Sequence, residues 1–448
     1  AGDAVRLALD RMCQGGIYDH LGGGFARYAV DETWLVPHFE KMLYDNAQFI
    51  ALLTQVWRKT RSPLYAARVA ETVAWALREM RDDSGAFVSS FDADSDGEEG
   101  RFAVWTADEI ANVLGDRAAP FCAAYGVLPD GNWEGVNILH RSGQAFASPV
   151  DEAPFAADRA ALLAVRGRRV PPARDDKALA DWNGLMIAAL VEAATAFENP
   201  EWLAAAENAF AAVRASHGDG DRLAHAACGG VAGDLGFLDD YAAMARAALA
   251  LFEATGDGAH LARARAWAAE LDRRFGDPQS GGYFFAATDG DARLLVRPRH
   301  AHDSAQPSGN ALAAEVLARL YWLEGDDEVR DRAEAVFDVF AADAARNPAA
   351  LAALLNAWDV LAGAVQIVVV GRRGDDATDA LVRAAFALPT PNRLLRVIAP
   401  GEPLPPDHPA TGKMQVDGGA AAYVCVGPVC AAPVVAAAAL AAAWEQVR

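Results

Sequence analysis

The sequence predicts a mainly α fold, in which helical hairpins form an (α/α)6 toroid that is followed by a small α/β appendage. Apolar residues recur at i, i+3, i+4 and i+7 as far as Leu361, and a Gly-rich aromatic turn recurs between the helical stretches. After Leu361 short β-rich runs replace the helical pattern. We expect the toroid at residues 1–362 and the appendage at residues 363–448.

The recurring turn sets the length of the repeat. Its copies are Gly22-Gly23-Gly24-Phe25, Ser84-Gly85-Ala86-Phe87 and Ser280-Gly281-Gly282-Tyr283-Phe284. The first two copies lie about 60 residues apart and the third follows about three such periods later, which is the length of one long helical hairpin. About six hairpins therefore fit before Leu361. Each must bury its apolar face on a neighbour, and the long acidic connections favour a closed ring over an open solenoid.

The last 85 or so residues have a different pattern. Short β-rich runs occur at 366–370, 394–398 and 422–426, with helical stretches at 376–386 and 431–447. Prolines punctuate the connections between these runs, which favours turns there. The pattern predicts a small α/β appendage.

Composition and charge limit the classes of function. Hydrophobic residues make up 53% of the chain, enough for a sizeable core, and the net charge is −21. Nucleic acid and anionic membranes attract clustered Lys and Arg, so we expect neither as a partner. No apolar run reaches the ~20 residues that span a bilayer, and no leader pattern begins the sequence. The number of cysteines, five, is odd, and Cys13, Cys122 and Cys228 are widely scattered, which does not indicate a disulfide framework, so we expect a reducing cytoplasm.

The segment 34–46 is dense in titratable groups and aromatic rings. It contains Trp34, Pro37, His38, Phe39, Glu40, Lys41, Tyr44 and Asp45. With Pro37 opening a helix over 37–57, His38, Lys41 and Asp45 would share one face. Glu40 and Tyr44 would share another. A solvated helix start would not interleave aromatic residues with charges, so the segment predicts a cavity lining.

Further polar motifs lie at or just before predicted helix starts. They are Asp175-Asp176-Lys177, Trp182-Asn183, Asp239-Asp240-Tyr241 and Ser308-Gly309-Asn310. Each motif alone is typical of a helix cap. In a ring all inner helices open onto one mouth, so we expect these starts to converge there with the segment 34–46.

The run from Asp92 to Gly97 resembles the opening of a calcium loop. The pattern D-x-D-x-D-G is present, but the twelfth position is Ala103 where a bidentate Glu is needed. A sharp turn that presents Asp92 or Asp94 to a cavity is therefore favoured, with a surface Asx-turn as the simpler alternative. We expect no metal and no cofactor.

These residues suggest acid/base chemistry on a sugar. Two acids flanking a glycosidic bond perform hydrolysis, whereas a base such as His38 could abstract a proton next to an open-chain carbonyl, as in epimerisation. The sequence does not choose between the two. The candidate catalytic residues are Glu40, His38, Asp92, Asp94, Asp239 and Asp240. The candidate ligand-binding residues are Trp34, Tyr44, Asp176, Trp182, Asn183, Tyr241, Ser308 and Asn310.

Cys425 and Cys430 form a C-x4-C pair near the end of the chain. A thiol at a helix start can be redox-active, but the spacing is not that of a C-x-x-C motif. Two small buried residues are the favoured interpretation.

Two long motifs carry a family resemblance. Residues 15–28 and 34–46 closely resemble the spermatogenesis-associated thioredoxin-domain family, whose bacterial members are thioredoxin domain-containing proteins. Further matches are Asp92-Ala93-Asp94-Ser95, Gly131-Asn132-Trp133-Glu134-Gly135, Trp182-Asn183-Gly184-Leu185-Met186, Gly236-Phe237-Leu238-Asp239-Asp240-Tyr241 and Tyr423-Val424-Cys425.

The resemblance implies a toroid of the six-hairpin glycosidase type, similar to N-acylglucosamine and cellobiose 2-epimerases. It also implies an N-terminal thioredoxin-like domain with a C-x-x-C motif, which this sequence lacks, so we expect a toroid truncated at its N-terminus. The leading hypothesis is a protein that binds or acts on a small sugar in a central acidic cavity. The alternative is a non-catalytic scaffold that docks a thioredoxin-like domain or a client protein.

Overall fold

Helices dominate the part of the chain that the computed structural model describes, which is residues 2–142, 153–218, 220–290, 293–406 and 408–448. The mainly α fold class is confirmed. The chain divides into two units, Ala1–Lys177 and Ala178–Arg448, which are described in turn. The domain boundary expected at 362/363 lies inside the second unit and stays a prediction, as does closure of the ring.

The first unit combines helices with short antiparallel strands. Its elements are α1 (Gly2–Gln14), β1 (Lys41–Met42), α2 (Leu43–Thr60), α3 (Pro63–Glu79), β2 (Ser90–Phe91), β3 (Asp94–Ser95), β4 (Glu98–Glu99), α4 (Ala107–Leu114), α5 (Ala118–Ala124), α6 (Ala156–Arg166) and β5 (Arg174–Asp175). The helices α2 and α3 form a hairpin: Arg61 ends α2 in the left-handed conformation, and Pro63 begins α3. Strands β1, β2 and β5 form a three-stranded sheet in that order.

The helix predicted over 37–57 begins only at Leu43, so that prediction is wrong at its N-terminal end. Residues 37–42 are extended instead, because their backbone groups pair with other segments. The His38 N–H donates to the Tyr28 carbonyl at 2.9 Å, and Lys41 pairs with Phe91 in the sheet. Side chains alternate sides along an extended chain, so the face assignments made for a helix do not hold here.

The first Gly-rich turn is fixed by a buried asparagine of α2. The Asn46 side chain accepts the Phe25 N–H at 2.7 Å and donates to the Phe25 carbonyl at 3.0 Å. Gly24 has a φ of +82°, and a Cβ there would lie 2.7 Å from the ring of Trp75. Only glycine satisfies both the left-handed backbone and this close approach.

The second unit is a row of helical hairpins. Its helices are α7 (Ala180–Ala196), α8 (Pro200–Ser216), α9 (Leu238–Thr255), α10 (Gly258–Arg274), α11 (Gly309–Glu324), α12 (Asp327–Arg346) and α13 (Ala352–Gly363). Helices α7, α9, α11 and α13 pack on one another in that order, while α8, α10 and α12 each pack on their hairpin partner. Gly184 of α7 permits the close approach, because a Cβ there would lie 2.6 Å from the backbone of Ala243 in α9. The strands β6 (Ala178–Leu179), β7 (Ala226–Cys228) and β8 (Val231–Ala232) form a small sheet beside them.

The α/β elements at the end of the chain match their predicted positions closely. They are β9 (Val365–Val370), α14 (Asp376–Phe386), β10 (Arg393–Ile398), β11 (Ala421–Val426), β12 (Val429–Cys430) and α15 (Leu440–Val447). The sheet has the order β10-β9-β11-β12, with β9 and β10 parallel. Leu381, Ala385 and Phe386 of α14 pack in the core that covers this sheet. The helix predicted over 431–447 is shorter and begins at Leu440.

Cys425 and Cys430 form a disulfide bond between β11 and β12. The interpretation of two small buried residues is therefore corrected: Cys425 is buried, but Cys430 is exposed at the end of its strand. The spacing gave no sign of the bond because only strand pairing places the two residues opposite each other. Cys13, Cys122 and Cys228 are not in disulfide bonds.

Across the described ranges, every helix is too short or too polar to cross a membrane.

Replacing Gly24 by alanine should destabilise the first unit strongly. Gly97 is the matched control, since its φ is +81° but no atom lies within 4 Å of a Cβ there. Gly97→Ala therefore carries only the left-handed backbone cost of roughly 1 kcal/mol. Gly24→Ala adds the collision with Trp75, and we expect a total loss of about 3 kcal/mol or more in urea unfolding. Equal losses in the two variants would contradict the packing role of Gly24.

Candidate functional site

The first unit contains a pocket that is open to solvent. Most of its wall is apolar, and aromatic rings form a large part of it. The aromatic lining residues are Tyr18, Phe39, Trp75, Phe91 and Phe102. The charged lining residues are Asp19, Lys41, Glu79, Asp92 and Arg166. A concave apolar wall with a few convergent polar groups is typical of a small-molecule site.

A buried ion cluster forms one side of this pocket. Arg166 binds Asp19 through two hydrogen bonds of 2.9 Å each, and Lys41 Nζ donates to Asp19 Oδ2 at 2.8 Å. Lys41 also donates to the Gly23 carbonyl at 2.8 Å. Bidentate Arg–carboxylate pairs have a fixed geometry, so the positions of all three charges are set.

The pKa values of Asp19 and Lys41 are shifted by burial and by the neighbouring charges. Burial opposes ionisation of Asp19, but Arg166 and Lys41 outweigh it and hold the pKa of Asp19 well below its usual range. Burial lowers the pKa of Lys41, and Asp19 offsets part of that effect. One negative and two positive charges of this cluster therefore line the pocket, together with the acids Glu79 and Asp92.

Glycine at position 22 leaves the space that Arg166 needs to reach Asp19. A Cβ on Gly22 would collide with the guanidinium of Arg166 and come within 2.8 Å of Asp19 Oδ2. The Gly22 N–H also donates to Asp19 Oδ1 at 2.9 Å. Gly22 of the Gly-rich motif thus contributes to the pocket in two ways: it leaves room for Arg166, and its N–H binds Asp19.

Of the predicted catalytic acids in the first unit, Asp92 lines the pocket. Its carboxylate is exposed, and among the described residues only the Asp94 N–H donates to it, at 3.2 Å. Asp19 is held in the ion cluster, and Glu79 accepts from the indole of Trp75 at 3.0 Å and forms an ion pair with Arg78. Asp92 is therefore the pocket acid whose oxygens are most available to a ligand.

His38 and Glu40 lie on the opposite side of the extended segment from Phe39 and Lys41. His38 contacts Glu99 through Nδ1 at 3.0 Å, and Glu40 pairs with Arg27 at 3.3 Å. Neither residue lines the pocket. The extended conformation of residues 37–42 is the reason, since it sends alternate side chains to opposite sides.

The remaining predicted residues of the first unit lie elsewhere. Trp34 has a φ of +65° and is partly buried, and Tyr44 is buried in α2. Asp94 is exposed in the β3–β4 hairpin, whose turn residues Asp96 and Gly97 both have positive φ. This geometry is that of a tight hairpin turn rather than a calcium loop. Asp176 is exposed and pairs with Arg174 at 2.6 Å.

In the second unit the starts of three helices meet. The Asp181 N–H at the start of α7 donates to Asp240 Oδ1 of α9 at 3.1 Å. Asp239, the neighbouring residue of α9, accepts a hydrogen bond from the backbone of Gly309 at the start of α11. Gly309 must be glycine, because a Cβ there would collide with the Asp239 carboxylate. The structure thus brings together three of the motifs that sequence analysis selected.

Asp240 is the centre of this group. It is fully buried and accepts hydrogen bonds from the Phe237 N–H at 2.7 Å and from His225 Nδ1 at 3.0 Å, in addition to the Asp181 N–H. The hydrogen bond to Asp240 and its charge raise the pKa of His225 to about 9. Burial, with Asp240 nearby, raises the pKa of Asp239 to about 7. The same two causes raise the pKa of Asp181 well above its usual range.

The predicted ligand-binding residues of the second unit are mostly used inside the fold. Asn310 accepts the Tyr283 N–H at 2.9 Å and gives both its N–H donors to backbone carbonyls. Tyr241 accepts the Leu223 N–H at 3.0 Å, and Ser308 caps α11. Asn183 is fully buried and donates to the Leu179 carbonyl, while Trp182 is partly exposed.

Sequence analysis missed several residues that these two sites use. Asp19 lies within the motif that carries the family resemblance, and Asp181 lies beside Trp182, so both were open to selection. Lys41 was noted but placed on a helical face that does not exist. Arg166 and His225 carry no local signal, because each reaches its site only through the tertiary fold.

The stability of the first unit should depend on pH through Asp45. Burial raises the pKa of Asp45 from 3.8 to about 7, with Arg27 opposing this and Glu40 adding to it. The folded protein keeps this proton where the unfolded chain loses it. Its stabilising effect is therefore complete below about pH 4 and lost as the pH rises to about 7.

Asp45→Asn should accordingly be more stable than the unmodified protein at about pH 8, by about 2 kcal/mol, and this advantage should shrink towards pH 4. Urea unfolding at both pH values measures it. The exposed Asp83→Asn of the same unit is the control. A pH-independent effect of Asp45→Asn would show that Asp45 is ionised at neutral pH.

Comparison with known proteins identifies relatives. The chain is 30% identical to human spermatogenesis-associated protein 20 over 93% of its own length and 59% of that protein. It is 30% identical to the mouse protein of the same name, over 88% of the chain and 56% of that protein. The chain thus spans less than two thirds of these relatives. No family model matches it.

Among solved structures, the fold is similar to that of a sugar epimerase from a ruminal bacterium. The TM-score is 0.48 and the sequence identity 11%, over 75% of this chain and 70% of that one. The resemblance predicted from the motifs is confirmed by these sequence relatives, which carry the name spermatogenesis-associated protein 20.

Proposed function

We propose that the chain binds a small sugar-like ligand in the pocket of the first unit and that it is a carbohydrate-active or carbohydrate-binding protein. The observation that carries this proposal is the combination of aromatic walls, a fixed ion cluster and the available Asp92 carboxylate around one open pocket. Aromatic rings offer flat apolar surfaces that match the faces of sugar rings, and charged groups bind the hydroxyls at the rim.

Lys41 has one donor to spare for such a ligand. Its ammonium carries three N–H groups, and Asp19 and the Gly23 carbonyl accept two of them. The ring of Trp75, 4.9 Å from the Lys41 nitrogen, helps to hold the ammonium in position. A sugar hydroxyl that accepts from Lys41 could in turn donate to Asp92, so that the ligand's hydroxyls are bound from both sides.

Asp92 is the group we assign to acid/base chemistry in this pocket. Its carboxylate accepts one backbone hydrogen bond within the described structure and has further lone pairs for a substrate. Epimerisation or isomerisation needs one base next to the reacting carbon, whereas glycosidic cleavage needs a second acid. Glu79, the remaining pocket acid outside the ion cluster, would serve that role.

Binding of mono-, di- and amino sugars by the purified chain tests this proposal. A ligand at about 100 times its Kd stabilises the folded state by ~2.7 kcal/mol, which a thermal-shift screen detects. We expect one class of sugar to raise the Tm. Asp92→Asn should weaken its binding at least tenfold in titration calorimetry, because the variant replaces a charged hydrogen-bond acceptor by a neutral amide.

The control is Asp94→Asn, which makes the same change two residues away on an exposed carboxylate that does not line the pocket. It should bind the sugar as the unmodified chain does. No shift with any sugar would overturn the proposal and favour the scaffold hypothesis. Co-purification with a thioredoxin-like domain supplied separately would then support that alternative.

A further inference from the structure

We propose that Asp181, His225 and Asp240 form a binding site for a divalent transition-metal ion, with Zn²⁺ as the best match. Each residue offers one ligand atom, and these three atoms lie within 4.8 Å of one another. The site belongs to the second unit, so it goes beyond the proposed sugar pocket and does not depend on it. Sequence analysis expected no metal in this chain.

Three separate segments supply the residues. Asp181 lies in the first turn of α7, Asp240 in the first turn of α9, and His225 directly before β7. The backbone of α7 is tied to that of α9 by the hydrogen bond from the Asp181 N–H to Asp240. The distance between the two carboxylates is therefore set by the fold rather than by flexible side chains.

Asp240 orients the imidazole of His225. Its two carboxylate oxygens lie 3.1 and 3.0 Å from Nδ1 of His225, which donates to them. An ion bound here would replace the Nδ1 proton, because Nδ1 and the Asp240 oxygens are already close enough to be ligands of one ion. Asp240 is itself held by the Phe237 N–H, so the whole arrangement is rigid.

Asp181 is the second buried carboxylate of the site. Its side chain is nine-tenths buried, with 6% of the residue exposed. Oδ1 accepts the Trp182 N–H at 2.8 Å, and no Lys or Arg within the described ranges pairs with either Asp181 or Asp240. Two buried carboxylates this close to each other repel when both are ionised, and a divalent ion between them would remove that repulsion.

The donor set selects the class of metal. Two carboxylates and one imidazole combine oxygen and nitrogen ligands, which suit Zn²⁺ and other first-row divalent ions. Ca²⁺ and Mg²⁺ prefer oxygen ligands alone. The side chain of His225 is 35% exposed, so an ion can reach the site from solvent and keep an open coordination position.

Metal titration of the full chain tests the site. After treatment with a chelator, the protein is titrated with Zn²⁺ in a calorimeter, in a Cys228→Ser background because that exposed thiol would also bind Zn²⁺. We expect one ion per chain. Asp181→Asn and His225→Gln should each weaken binding at least tenfold. Asp240 is not replaced, because it caps α9.

Matched controls are available in the same unit. Asp234→Asn changes an exposed acid near His225, and His302→Gln changes an exposed histidine, and both should bind Zn²⁺ as the parent does. Far-UV circular dichroism and the metal-free Tm show whether each variant is folded. Co²⁺ supplies a spectroscopic readout, since its visible absorption changes on losing a nitrogen ligand in His225→Gln.

Absence of saturable Zn²⁺ binding would overturn this proposal, and so would equal binding by the site variants and their controls. Tighter binding of Ca²⁺ than of Zn²⁺ would also contradict it. Sugar binding through Asp92 is measured separately in metal-free protein, so failure of one proposal leaves the other standing.

Discussion

The structure depends on buried side chains at helix starts that form hydrogen bonds with the backbone of a preceding turn. Asn46 binds both backbone groups of Phe25, and Asn310 binds both backbone groups of Tyr283 in the same way. Each of these aromatic residues follows a Gly-Gly pair with positive φ. A turn of this kind has few backbone partners of its own, so the amide supplies the hydrogen bonds that burial would otherwise leave unmade.

These interactions position the charged groups of both proposed sites. In the first unit the fixed turn carries Asp19 and the Gly23 carbonyl, and both bind Lys41 at the edge of the pocket. At the start of α9 in the second unit the buried side chain is Asp240, and its carboxylate accepts backbone N–H groups from α7 and from its own helix start. A carboxylate in that position holds the fold and also brings charge to the site, which an asparagine does not.

Periodicity in the sequence predicted the helical hairpins and the C-terminal strands, because local patterns of burial determine these features. It failed for residues 37–42, since the hydrogen-bond partners that keep them extended come from distant segments such as Tyr28. Because of the same error, Glu40 and His38 were selected as catalytic candidates and Lys41 was not. Asp239 and Asp240 were found because helix starts are visible in sequence, whereas His225 and Arg166 lie in segments without any pattern that indicates their partners.

Amide hydrogen exchange of Phe25 and Tyr283 tests most directly whether the two asparagines hold their turns. Mass spectrometry of the Asn46→Ala and Asn310→Ala variants gives the exchange of both segments in one experiment. We predict that each variant loses protection at its own turn by at least about tenfold while the other turn remains protected, because the lost hydrogen bonds are local. Unchanged exchange at Phe25 in Asn46→Ala, or equal loss at both turns in either variant, would contradict the account.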